Sequence, residues 1–259
     1  MSSFHEGPRH AMLPIWPRHP LAREDNVDSA NSQGGGSLST EALAFLRGVD
    51  SPTIANAVET FTLRDRTEGF IGGRIACQFP ELGVMVGQAL TVTMTSEPGE
   101  PASRDGYWRM WEALAALPSP SVLVVADVSG QPHRCAYAGE VMTTLAMRLG
   151  AVGMVTDGGL RDVDEVRALG FHYFMPFAVV SHGNFRIVDV GEPIELDGQT
   201  VRTGDILHGD RNGIVLVPPE TIDDLPDVVA TIRDRERATM DDIRSEGFDL
   251  AEFKRRSGY

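Results

Sequence analysis

The sequence predicts a single α/β domain flanked by an N-terminal arm and a charged helical C-terminal tail. Three observations point there. Residues 139–162, GEVMTTLAMRLGAVGMVTDGGLRD, read as a helix, a short strand and a glycine turn in succession. Residues 122–127 form a continuous apolar run that ends in an acid, the pattern of a central strand buried on both faces. A chain of 259 residues with 42% hydrophobic content is long enough for one domain with a substantial core and short for two large ones.

Taken in order, residues 1–38 carry prolines, His5, His10, His19, Trp16 and the run Asn31-Ser32-Gln33-Gly34-Gly35-Gly36, a composition suited to an extended arm. The three histidines match no helix or strand face and are read as surface or tag-like, while Trp16 is a candidate anchor. The core is expected over 39–218. From Ser39, STEALAFLRG reads as a capped helix that ends at Gly48, and Ser51-Pro52-Thr53 opens a second helix running to about Glu59. Residues 83–95 are rich in β-branched side chains and predict one or two strands; residues 104–117 predict a helix with Trp108, Trp111, Leu114 and Ala115 inward. Asp127, at the carboxyl end of its strand, is read as a solvated acid, with a place in a ligand crevice as the alternative.

Met142, Leu145, Ala146 and Leu149 fall at i, i+3, i+4 and i+7, which gives the next helix one apolar face, and Gly150 is placed to end it in a left-handed conformation. Residues 151–156 suit a buried strand, and Asp157-Gly158-Gly159 breaks it into a turn. Asp162-Val163-Asp164-Glu165 has the form of an N-cap with a glutamate three residues on, and that helix should stop at Gly170. Strand-like pieces follow at 173–177, 186–190, 200–202 and 213–217, separated by turn residues such as Asp197-Gly198 and Asn212-Gly213. Residues 219–259 are highly charged and helical.

Composition narrows the function classes. A formal charge of −14 argues against a nucleic-acid backbone or an anionic membrane as the main partner, since both would be repelled at long range. Cys77 and Cys135 lack any CxxC or Cys/His spacing and are read as reduced, buried thiols. No segment has the apolar run of a signal peptide or a membrane span, so the cytoplasm is the expected compartment. His133, His172, His182 and His208 have no triad-like partner and are read as structural or surface groups, with His208-Gly209-Asp210 the weaker candidate for more. Gly72-Gly73 lacks the context of a phosphate loop, and no nucleotide site is expected.

If the strand at 151–156 packs beside the helix before it, the helix start and the strand's carboxyl end face one crevice. Glu140, Arg161 and Asp162 then converge. An isolated Arg-Asp pair would ordinarily be an N-cap and a surface arginine. Here, however, Glu140 is followed by twenty residues and then Arg161-Asp162, a spacing that resembles the G-x-x-x-D, twenty residues, R-D pattern of the RraA-like family, with Glu at the first acid and Ala136 at the glycine. Residues 86–92, VGQALTV, are similar to that family's VGPAxTV strand, and residues 204–218 to its GDxVxxDxxGVxxVP ending. Residues 51–58 look like its S-x-T-x-x-D-A segment, with Asn56 for the acid, and the likeness spans roughly residues 39–255.

The family includes the regulator of ribonuclease activity A and class II 4-hydroxy-4-methyl-2-oxoglutarate aldolases that also decarboxylate oxaloacetate. The resemblance implies a layered α/β/β swivelling fold, similar to phosphohistidine domains, assembled as homotrimers or hexamers with the site between subunits. It implies Mg2+ or Mn2+ held directly by Asp162 and through water by Glu140, with Arg161 on the pyruvyl oxygens. Hard cations favour such carboxylate and water oxygens. The amides of Val141 and Met142, at a helix start, suit the carboxylate of a small 2-oxo acid. Metal and guanidinium together would neutralise an enolate formed on cleavage of the C3–C4 bond. The alternative is a non-catalytic protein-binding regulator of a ribonuclease-like partner.

Overall fold

The computed structural model describes residues 37–257. Nearly all of the expected arm, with His5, His10, His19, Trp16 and Gly34 to Gly36, lies outside the described residues. In chain order these form α1 (Thr40–Arg47), α2 (Ser51–Glu59), β1 (Phe70–Ile71), β2 (Ala76–Cys77), β3 (Met85–Ser96), α3 (Asp105–Ala116), β4 (Ser121–Asp127) and α4 (Glu140–Arg148). Then come β5 (Ala151–Thr156), β6 (Gly159–Leu160), α5 (Val163–Leu169), β7 (His172–Met175), β8 (Phe177–Ala178), β9 (Phe185–Val190), β10 (Ile194–Leu196) and β11 (Gln199–Val201). The remainder is β12 (Ile206–Asp210), β13 (Gly213–Val217), α6 (Leu225–Arg244) and α7 (Leu250–Ser257).

The centre is a run of three βαβ units. β3, β4, β5 and β7 lie side by side and parallel, and α3, α4 and α5 make the crossovers between them. Because side chains alternate along a strand, each central strand feeds two layers. Leu90, Val92 and Met94 of β3 and Leu123 and Val125 of β4 pack with Met110, Trp111, Leu114 and Ala146 of the helices. Ala89, Val122, Val124 and Ala126 point to the opposite side, where the β10–β11 hairpin covers them with Ile194, Leu196 and Val201. The result is the α/β/β layering expected. Each such side chain taken fully out of water contributes roughly 1.5–3 kcal/mol.

The free edge of β3 is divided. Its first residues pair antiparallel with β12 and its last with β9, so one twelve-residue strand joins the parallel core to two antiparallel arms. A third apolar cluster sits beyond β12 and β13, where Leu46 and Ile54 of the first two helices and Phe61 just after α2 meet Leu225, Val229 and Ile232 of α6. Asp197 and Gly198, both at positive φ, close β10 onto β11 as a two-residue hairpin loop.

Helix ends follow their predicted caps: Ser39 Oγ accepts from Ala42 N–H at α1, and Gly170 ends α5 in the left-handed region at φ 75°. The structure departs from expectation on α3. Met110, Trp111 and Leu114 face the core, whereas Trp108 is 55% exposed and Ala115 is exposed. The stripe turns on Gly106, Met110 and Leu114, four apart, which leaves Trp108 on the outer face. Strands without strand-like patterning are not expected from the sequence: β1, β2 and β6 are two residues long, β10 is three, and β12 carries His208, Gly209 and Asp210 inside a buried strand. Cys135 is buried and Cys77 half-buried, both free, and burial raises both thiol pKa values. Among the described residues no helix is long and apolar enough to cross a membrane.

Candidate active site

Three short segments are laid side by side at the carboxyl ends of the parallel strands. Ala136 bridges to Gly159, Tyr137 N–H donates to the Gly159 carbonyl at 2.9 Å, and Arg161 N–H donates to the Ala138 carbonyl at 3.0 Å. On their other side β6 pairs with β8, and Ala136 N–H donates to the Ser181 carbonyl at 2.7 Å. This ribbon carries Gly139, Arg161, Asp162 and His182 to one edge.

Gly139 lets them meet. A Cβ there would overlap Asp162 Oδ2 and lie 2.9 Å from Arg161 Cγ. In the space so left, Asp162 Oδ2 accepts from Glu140 N–H at 2.9 Å. The carboxylate therefore caps α4, the helix across the turn, and not α5 as the N-cap reading expects; no side-chain cap bond is made at α5. The reason is the backbone: Asp162 is left-handed, at φ 55° and ψ 46°, outside the extended region an N-cap normally occupies. A non-glycine residue held there costs about 1–3 kcal/mol, which the ribbon and the α4 amide offset. Arg161 Nε stands 3.8 Å from Asp162 Oδ2, and both side chains are 37% exposed, so the pair is loose. The first helical bond of α4 is Thr143 N–H to the Gly139 carbonyl, so Val141 and Met142 amides have no helical acceptor. They present the positive end of the helix dipole.

These groups open onto a cleft of about 370 Å³. The lining combines Gly139, Val141, Met142, Arg161 and Asp162 with Arg104 and Tyr107 at the start of α3, and with His182, Asn184 and Arg186 before and in β9. Asn184 pins the wall's outer loop by donating to the carbonyls of Glu97 and Glu100 while accepting from Ala102 N–H. Three arginines against one aspartate make the lining positive within a chain of net charge −14, a local field suited to a small anion.

Of the residues singled out in the sequence, Arg161, Asp162, Val141 and Met142 reach the cleft. Glu140 is brought beside Asp162 by its backbone, and its exposed side chain is not part of the lining. Asp127 does not reach the cleft either: Oδ1 accepts from Ser129 N–H in its own turn, and its N–H donates to Asp157 Oδ1. Burial, with Asp127 adjacent, raises the Asp157 pKa. His172 and His208 are buried, as expected of structural imidazoles. His182, read as structural or surface, is exposed and lines the cleft, and so do Arg104 and Arg186. No spacing in the sequence signals those three, because their neighbours come from β9 and the 97–104 loop, far along the chain from Arg161.

Comparison with known proteins follows the same stretch of chain. A family model described as RraA-like, Aldolase/RraA, matches residues 51–216. Protein DlpA of Legionella pneumophila is 29% identical over 119 residues, 45% of this chain and 19% of that protein. A Halalkalibacterium halodurans protein named "Putative 4-hydroxy-4-methyl-2-oxoglutarate aldolase" is 33% identical over 101 residues, 39% of this chain and 48% of that protein. The chain thus spans less than half the length of these two curated relatives. A Laribacter hongkongensis protein with the same name is 35% identical over 120 residues, 42% of this chain and 69% of that protein. In fold, the chain superposes on a crystal structure from Pseudomonas syringae with TM-score 0.66 at 23% identity, covering 89% of this chain and 100% of the other. It also superposes on Streptomyces coelicolor RraAS2 with TM-score 0.60 at 21% identity, covering 81% and 99%. With the family model matching more than half of its residues, the chain belongs to the RraA-like family.

Proposed function

We propose that the chain is a divalent-metal-dependent carbon–carbon lyase for small 2-oxo acids, releasing pyruvate from substrates of the 4-hydroxy-4-methyl-2-oxoglutarate type and decarboxylating oxaloacetate. The observation that carries this reading is the convergence of Arg161, Asp162 and the α4 N-terminus on one cleft. In this reading the Val141 and Met142 amides orient the pyruvyl carboxylate, and Arg161 faces the oxygen on which negative charge develops. Arg104 and Arg186, on the same lining, suit the second carboxylate of such an acid.

The donor set fits a hard cation that keeps most of its water, which needs only one or two carboxylates. Asp162 would be the direct ligand, with Oδ2 already steadied by the Glu140 amide, and Glu140 at the head of α4 would hold water once its exposed side chain turns toward Asp162. Mg2+ or Mn2+ held there would supply Lewis-acid charge that stabilises the developing oxyanion. The homotrimer or hexamer belongs to the same proposal; Val141 at the cleft, 82% exposed, and Val180 near His182, 92% exposed, support a subunit interface beside the site.

The test is pyruvate release from both substrates above the enzyme-free background, with Mg2+ and with EDTA. EDTA-sensitive turnover is expected. No turnover on either substrate would overturn the reading and favour the protein-binding regulator.

A further inference from the structure

We infer that His182 is the proton-transfer residue of this cleft, taking the C4 hydroxyl proton of a 4-hydroxy-2-oxo acid at Nε2 and returning it to C3. The inference rests on the proposed lyase reading, but its observations are separate from those that carry that reading. The first is the tautomer. His182 Nδ1 lies 2.6 Å from the Gly183 carbonyl, which can only accept, so Nδ1 carries a proton and donates it. In the neutral ring Nε2 is then the bare nitrogen, and the exposed His182 is one of the residues lining the cleft.

The second is rigidity. The Ser181 carbonyl accepts from Ala136 N–H at 2.7 Å, the His182 carbonyl accepts from Cys135 Sγ at 3.0 Å, and Ser181 Oγ accepts from Gly183 N–H at 3.2 Å. Gly183 sits at φ 56°, where a Cβ would come within 2.9 Å of Ser96 Oγ. The backbone on both sides of His182 is thus fixed to the ribbon that also positions Arg161 and Asp162. His172 and His208 show what a purely structural imidazole looks like here, since both are buried in the core. His182 is exposed to the cleft instead.

The third is that the other polar groups this chain brings to the lining are engaged, offer only donors, or are weaker bases than an imidazole. The arginines stay protonated, Asp162 is engaged by the Glu140 amide, and the buried Tyr137 hydroxyl donates to Met110 Sδ. Tyr107 is packed edge-on against Trp108 and Trp111.

The step balances without a further reactant. Nε2 accepts the hydroxyl proton and the C4–O bond becomes a carbonyl as C3–C4 breaks. The electron pair of that bond forms C2=C3, leaving negative charge on the C2 oxygen beside Arg161. Nε2–H then protonates C3, which gives the methyl group of pyruvate and restores the neutral ring. Oxaloacetate has no such hydroxyl proton, and its C–C bond breaks without a base.

His182→Asn tests this, because an asparagine amide nitrogen can keep the Nδ1-like bond to Gly183 while Nε2 is lost. With saturating Mg2+, cleavage of 4-hydroxy-4-methyl-2-oxoglutarate should fall about 10²-fold or more relative to the change in oxaloacetate decarboxylation. Free imidazole should restore part of the cleavage in His182→Ala, and ¹⁵N NMR of the wild-type ring should report the Nδ1–H tautomer. Equal losses in both reactions, no loss in either, or an Nε2–H tautomer would overturn the inference. Wild-type protein that decarboxylates but never cleaves would overturn the inference and leave a lyase; wild-type protein that does neither would overturn both.

Discussion

Asp162 is the residue on which the site turns, because one side chain caps α4, pairs loosely with Arg161 and faces the cleft. Asp162→Asn retains an oxygen to accept the Glu140 amide, and asparagine tolerates the left-handed backbone, so the variant should melt within a few degrees of wild type. Its Mg2+-dependent turnover, and that of Arg161→Ala, should fall by about 10²-fold or more, as for loss of one group that stabilises a developing oxyanion. Near-wild-type rates in either variant would refute their assignment. Gly139→Ala puts a methyl group where Asp162 Oδ2 now lies. It should lower stability by about 1–3 kcal/mol in urea unfolding and remove turnover, since the aspartate must move. The Arg-Asp pair and its distance from Glu140 were legible as residue types at a spacing. The direction of the Glu140 carboxylate, and the arrival of His182, were not, because they depend on a left-handed turn and on a ribbon built from three separated segments.

Among the elements, β4, β5 and β13 lie within a residue of where apolar runs and turn signals place them, α1 matches its Ser39 cap and α5 its stop at Gly170, while α2 is capped by Asp50 with Ser51 already helical and α5 makes no cap through Asp162. Long or continuous patterns report burial directly, since the central strands are apolar on both faces. The inward face of α3 was misjudged at Trp108 because a tryptophan beside the stripe scores as apolar wherever it points. Unfolding free energies of single variants separate the two faces. Met110→Ala, fully buried, should cost about 2–5 kcal/mol. Trp108→Ala, at a residue more than half exposed and edge-on to Tyr107, should cost no more than about 1 kcal/mol. Comparable losses would mean that Trp108 is covered by something beyond the described contacts. α6 is the element whose burial changes along its length: Leu225, Val229 and Ile232 join α1 and α2 in the third core cluster, while Met240 and Ile243 stay exposed.

Over the whole molecule, acid sensitivity follows from two imidazoles locked inside the sheet. Burial, aided by Arg47, pushes the His172 pKa down to about 4, and burial lowers that of His208, whose Nε2–H donates to the carbonyls of Leu46 and Val49. In the unfolded chain both imidazoles return to about 6.5. Between these values the unfolded state binds more protons, so stability rises with pH there and is lost as pH falls from about 6.5 towards 4. Urea unfolding from pH 7 to pH 4.5 should show that decline, and His172→Phe, placed against Phe174, should flatten it. An unchanged slope in the variant would assign the loss elsewhere.

By itself the sequence determined the α/β class, the parallel core, the family and the Arg161-Asp162 pair, because apolar periodicity, caps and motif spacing act over short stretches of chain. Only the tertiary structure decided that Asp162 caps α4, that Asp127 turns away, and that Arg104, His182 and Arg186 complete a positive cleft. Those outcomes depend on long-range hydrogen bonds and on positions without a Cβ, Gly139 above all, and no local pattern encodes which distant segments will meet there.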